Sequence, residues 1–107
     1  MTAKLAGVTA KDSKMAGPLL RGGEIAVAAI EAIEIDNPDK EIVIDDHGTY
    51  VRVEADGGLI IRKKTMEEMI GRPFQMQELE VALSGFSGQI ETHEDYMRWF
   101  FKTPSIA

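Results

Sequence analysis

The chain has 107 residues and a mass of 11.8 kDa, is 44% hydrophobic and 28% charged, and contains no cysteine. That length allows one small domain with one core, and the missing cysteine excludes a disulfide framework, a thiolate zinc site, an iron–sulfur cluster and a cysteine nucleophile. A net charge of -6 and a pI near 4.8 disfavour nucleic acid and anionic membranes as partners, and no apolar run approaches the roughly 18 residues of a membrane span, so a soluble, cytoplasmic protein is expected.

The first fourteen residues carry Lys4, Lys11 and Lys14 against Asp12 and show no helix or strand periodicity, so residues 1–14 are expected to be a flexible basic tail. Residues 15–103 are expected to form the single domain, with 104–107 a short C-terminal tail. Within the domain, Met15 to Arg21 reads as a short edge strand, because Pro18 cannot donate to a sheet ladder. Gly22-Gly23 breaks the chain before an Ala-rich stretch from Glu24 to Ile35, where Ile25, Ala29, Ala32 and Ile33 recur at helical spacing. Asp36-Asn37-Pro38-Asp39 ends that helix, since the residue before a proline resists the helical region. Three runs rich in β-branched residues follow, Glu41 to Asp45, Thr49 to Ala55 and Leu59 to Arg62, and read as a β-meander. In the middle run Val51, Val53 and Ala55 point one way and Tyr50, Arg52 and Glu54 the other. Thr65-Met-Glu-Glu68 has the spacing of a capping box opening a short helix that stops at Gly71. Met76, Leu79, Val81, Leu83 and Phe86 suggest another short helix, running into a small-residue loop from Ser84 to Gly88. Two closing strands are expected near Gln89 to Thr92 and Met97 to Phe101. The order of elements predicts an α+β fold, a compact sandwich of a β-meander and further short strands against about three helices.

A search for chemistry finds no catalytic set. His47 and His93 fall in predicted connections without a nucleophile motif, and Glu91, His93, Glu94 and Asp95 lack the Glu-x-x-His pairing of a di-iron site. Gly22-Gly23, Gly57-Gly58 and the Gly85/Gly88 pair match no phosphate-binding pattern. Tyr96, Trp99, Phe100 and Phe101 could stack on bases, yet the chain has no basic stripe to accompany them. Glu31, Glu34 and Asp36 read either as a docking patch or as a solvated helix face. Two classes remain open from the residues alone: a protein that acts by binding, and a stand-alone α+β domain with Tyr50, Arg52 and His93 in a cleft.

Five stretches carry a resemblance: Ala32 to Pro38, Tyr50-Val-Arg-Val53, Ile70-Gly-Arg-Pro-Phe74, Met76 to Glu80, and Leu83-Ser-Gly-Phe-Ser-Gly-Gln89. In order and spacing they resemble the effector, or coupling, proteins of soluble multicomponent di-iron monooxygenases, above all the four-component toluene and alkene monooxygenase branch. The likeness runs from Gly17 to Lys102. It implies a protein with no cofactor and no catalytic residue of its own that binds the di-iron hydroxylase, reshapes its active site, gates substrate and oxygen, and couples electron delivery to product formation. It further implies competition with the Rieske ferredoxin for docking, and a monomer when free. Carried over residue by residue, Ala82, Ser84, Gly85 and Phe86 would lie at the hydroxylase surface, with Phe86 either an anchor in an apolar groove or a core residue. Arg52 and Arg72 would pair with partner carboxylates or cap their own turns, and the Asp36-Asn37 turn would be a landmark of the interface. Ala82 departs from the resemblance, because related toluene-type effectors commonly carry Asn there.

Overall fold

The computed structural model describes residues 14–101; the expectations for the N- and C-terminal tails, residues 1–13 and 102–107, lie outside the described residues. The elements follow in the order β1 (Met15–Arg21), α1 (Glu24–Asp36), β2 (Val43–Asp46), β3 (Tyr50–Asp56), β4 (Gly58–Arg62), α2 (Lys63–Ile70), α3 (Met76–Ala82), β5 (Leu83–Ser87), β6 (Gln89–Thr92) and β7 (Tyr96–Phe100). They build two antiparallel sheets, one ordered β2-β3-β1-β5 and the other β4-β7-β6, with three helices, which is the expected α+β class. β2 and β3 form a hairpin, and Gly57-Gly58 then carries the chain out of the first sheet, so the three consecutive strands are divided between two sheets.

The inner faces of the sheets meet each other, with β1 lying against β4 and β7, while α1 packs on α2 and β4. Between them Leu20, Ile33, Val53, Ile61, Met66, Phe74, Leu79, Met97 and Trp99 are buried. Each such side chain contributes about 1.5–3 kcal/mol of hydrophobic stabilisation. As the alternation in β3 requires, Val51, Val53 and Ala55 face this core, and Tyr50, Arg52 and Glu54 face outward.

Three elements depart from the sequence reading. Met15–Arg21 is not an edge strand but lies between β3 and β5. Pro18 is tolerated there because the recorded pairing with β3 stops at Ala16↔Ala55 and resumes in the same register at Leu19↔Arg52, so its missing N–H falls in a gap of the ladder. Thr65 caps no helix: α2 begins two residues earlier, and Thr65 is buried with its hydroxyl donating to Asp36 Oδ1 at 2.7 Å. The start of α2 is tied down from outside, by Arg62 N–H donating to Asp36 Oδ2 at 2.9 Å and Lys63 N–H to the Asp95 carbonyl at 2.8 Å. The helix still ends at Gly71, in the left-handed conformation with φ 78°. The third departure is the expected small-residue loop. Helix α3 stops at Ala82, and Leu83–Ser87 is a strand, because the free edge of β1 offers it a hydrogen-bonding partner.

Candidate functional site

The strand pairing sets the rows of side chains on the outward face of the first sheet. Arg52, Leu19 and Gly85 stand side by side across β3, β1 and β5. Glu54 and Ser87 flank Gly17 in the adjacent row. Ser87 Oγ donates to Glu54 Oε2 and accepts a 3.4 Å bond from the Arg52 guanidinium, which lies 3.5 Å from the same carboxylate. Three charged or polar side chains from two strands thus form one network over the strand between them.

β5 is the exposed edge beside this network. A register shift between Leu19 and Leu20, which pair with Gly85 and Leu83, leaves Ser84 without a partner across the ladder, and Ser84 is exposed. Such a bulge breaks the regular edge of a sheet and re-aims the neighbouring side chains. Phe86 lies opposite Pro18 and is 45% exposed, so it is not a core residue, although aromatic side chains of this size are usually well covered. Gly85 is set apart from the other described glycines, each of which either has a positive φ or would press an added Cβ to within 2.5 Å of a neighbour. At Gly85 φ is ordinary and the nearest atom to an added Cβ is Leu19 Cδ2 at 3.9 Å, a normal van der Waals contact.

The remaining candidates are placed elsewhere. Ala82 is buried at the end of α3. Asp36 and Asn37 are turned inward: Asn37 Nδ2 donates to the Ile33 and Ile60 carbonyls at 2.7 and 2.8 Å, and its Oδ1 accepts from Ile60 N–H at 2.9 Å. Asp36 is consumed by Thr65, Arg62 N–H and the Arg62 guanidinium. Arg72 lies in the turn between α2 and α3 and is engaged by Glu78 at 3.0 Å, Glu24 at 3.7 Å and the Pro73 carbonyl at 3.0 Å. Its hydrogen bond to Glu78 raises the Arg72 pKa and, helped by Gln75 N–H, holds the Glu78 carboxyl below its ordinary value. Of the eight candidates, the fold therefore puts Ser84, Gly85 and Phe86 on the β5 edge and Arg52 in the row of Gly85, with Phe86, opposite Pro18, turned to the other face.

The alternative cleft does not assemble. Tyr50 stacks on His47 at 4.8 Å, at the tip of the β2–β3 hairpin, whereas His93 stacks on Tyr96 at 4.4 Å, at the tip of β6–β7 in the other sheet. A cleft of about 240 Å³ beside His93 is lined by Gln75, Met76, Gln77, Glu80, Thr92 and Glu94, without Tyr50 or Arg52. Among the described residues no three His, Asp or Glu side chains are grouped to hold a metal ion. Sequence reasoning passed over Glu54 and Ser87: the β3 alternation already turned Glu54 outward beside Arg52, whereas Ser87 was hidden in a segment read as loop.

The profile of the MmoB/DmpM family matches residues 14–100. The effector subunit of the alkene monooxygenase system of Xanthobacter autotrophicus is 34% identical over 92 residues, covering 86% of this chain and 91% of that protein. The stimulatory component DmpM of the phenol 2-monooxygenase of a Pseudomonas species is 36% identical over 66 residues, covering 62% of this chain and 71% of that one. Two structures of a phenol hydroxylase–regulatory protein complex contain a chain of the same fold. One gives a TM-score of 0.71 at 24% identity, covering 82% of this chain and 99% of that chain. The other gives 0.64 at 26% identity, covering 79% and 99%. With the family profile spanning the whole described domain, the chain belongs to the MmoB/DmpM family and is a non-catalytic effector of a di-iron monooxygenase system.

Proposed function

We propose that this effector docks on the di-iron hydroxylase through the β5 edge, presenting Ser84, Gly85 and Phe86 with Arg52 beside them, and there modulates the active site, the access of substrate and oxygen, and the coupling of electrons to hydroxylation or epoxidation. It carries no cofactor in this reading. It acts as a monomer when free and occupies a surface for which the Rieske ferredoxin competes. The observation that supports β5 most directly is Gly85. Glycine inside a strand costs about 0.5–1 kcal/mol relative to alanine, and the fold has room for a side chain there. A glycine that its own fold does not require is explained by the close approach of another backbone. Phe86, half-exposed next to it, supplies an apolar anchor of the kind that dominates binding energy at interfaces.

The effect on the hydroxylase follows from linkage: an effector that prefers the oxygen-ready state shifts the hydroxylase toward that state by the ratio of its two affinities. A tenfold bias requires about 1.4 kcal/mol of differential contact, within the reach of a few side chains on β5. Gly85→Val tests the docking surface. The variant is expected to melt like the parent chain while product formed per NADH by an alkene- or toluene-type hydroxylase, with its ferredoxin and reductase, no longer rises as effector is added. Full stimulation by Gly85→Val would remove β5 from the interface. Ligand binding or turnover by the chain alone would instead favour the stand-alone domain.

A further inference from the structure

We propose that Glu54 and Ser87 are positioning residues that hold β5 in its docking geometry from across β1, an inference that rests on the reading of β5 as the docking edge. β5 is short, lies at the end of its sheet, and is broken by the irregularity at Ser84, so its five residues have one neighbouring strand and an interrupted ladder. A strand in that position is expected to open locally at small cost. What distinguishes it here is a bond to a strand it does not pair with. Glu54 is on β3 and Ser87 on β5, with all of β1 between them, yet the Ser87 hydroxyl reaches the Glu54 carboxylate.

Gly17 makes this contact feasible. It pairs with Ser87, and the register of β1 on β3 sets it against Glu54. A Cβ on Gly17 would fall 1.9 Å from the Val53 carbonyl oxygen and 2.9 Å from Glu54 Cα, so β1 runs too close to β3 here to carry any side chain between Glu54 and Ser87. Arg52 completes the arrangement, its guanidinium 3.4 Å from Ser87 Oγ and 3.5 Å from Glu54. The Glu54 side chain is 16% exposed, so water competes little for its bond to Ser87, whereas Arg52 at 41% keeps part of its guanidinium toward solvent. Ser87 is three residues from Ser84 and adjacent to Phe86, so fixing its side chain fixes the C-terminal end of the segment that docks. Order supplied before binding lowers the entropy lost on binding, so the clamp raises affinity without touching the partner.

The experiment measures Ser87→Ala, Glu54→Ala and Ser87→Thr, the last retaining the hydroxyl, with the intact effector. Hydrogen exchange of the free protein reads the clamp, and titration of effector into the hydroxylase assay reads its consequence. In the two alanine variants the β5 amides bonded to β1 are expected to exchange about tenfold faster while those of α1 keep the parent rate. The effector concentration for half-maximal stimulation should rise about fivefold with an unchanged plateau. Ser87→Thr should restore both. Unchanged exchange at β5 overturns the clamp, and so does faster exchange with an unchanged half-maximal concentration. Gly85→Val in the same titration separates the two levels: if it weakens stimulation while Ser87→Ala does not, only the clamp fails, and if neither does, the docking reading fails with it.

Discussion

Asn37 has a side chain that behaves as a peptide group. β4 pairs on one side only, with β7, and the Asn37 amide takes the place of a neighbouring strand on the other, donating to the Ile60 carbonyl and accepting from Ile60 N–H while bonding back to Ile33. Asn37→Leu removes these bonds and strands the Ile60 polar groups against an apolar side chain, and each unsatisfied buried group costs roughly 1–3 kcal/mol. Unfolding in denaturant is therefore expected to show a loss of about 2–4 kcal/mol at unchanged slope. Phe86 sits at the other extreme. Half-exposed as it is, Phe86→Ala should change stability by about 1 kcal/mol or less yet weaken stimulation of the hydroxylase, measured at subsaturating effector. From the sequence, Asp36-Asn37 is legible as a helix stop but not as a latch, because the strand edge it covers lies 23 residues further along the chain.

Elements show why local signals were sufficient in some places and misleading in others. Helix α1 follows from its own alanines and isoleucines, and β3 from its alternation, because each buries one face whatever its neighbours are. The start of α2 instead belongs to its surroundings: with Asp36 and the Asp95 carbonyl receiving the first amides, Thr65 is free to turn inward. At the start of α3 the Glu78 carboxylate accepts the Gln75 N–H at 3.1 Å and pairs with Arg72, and across β6 and β7 Glu91 meets Arg98 Nε at 2.8 Å. The arginine hydrogen bond is the main cause lowering the carboxyl pKa in both. A folded-state pKa below the unfolded one stabilises the fold above the ordinary glutamate value of about 4.3 and gives that contribution up as pH falls through the lowered value. Melting curves of Glu78→Gln and Glu91→Gln should thus lie slightly below the parent at pH 7 and converge with it in acid. Both pairs are solvent-exposed, so added salt should narrow the gap at neutral pH.

At the scale of the molecule, the core formed by the described residues spans Ala16 to Trp99. We expect a chain shortened to residues 14–102 to keep its far-UV circular dichroism and melt cooperatively, with any change confined to association with the hydroxylase; loss of the transition would make the removed ends part of the fold. Trp99 is the single tryptophan and is 1% exposed between the two sheets. Its fluorescence should shift to the red on unfolding at the same denaturant concentration at which helix signal disappears, as one shared core requires. Two transitions would instead mean that the sheets unfold separately.

Part of the architecture follows from composition and local pattern. The sequence holds no cysteine and so no thiolate chemistry, apolar periodicity sets α1 and the faces of β3, and five ordered stretches carry the family. These are local or compositional properties, and each is settled within a few turns of chain. Tertiary structure alone decided that β1 is central, that Leu83–Ser87 is a strand, and that Arg52 and Gly85 share a row with Leu19 between them. Strand identity at a sheet edge depends on which backbone groups a distant segment leaves unpaired, and no window of local sequence contains that information. The same applies to the candidate surface, where Glu54 and Ser87 stand 33 residues apart and meet because β3 and β5 flank β1 in one sheet.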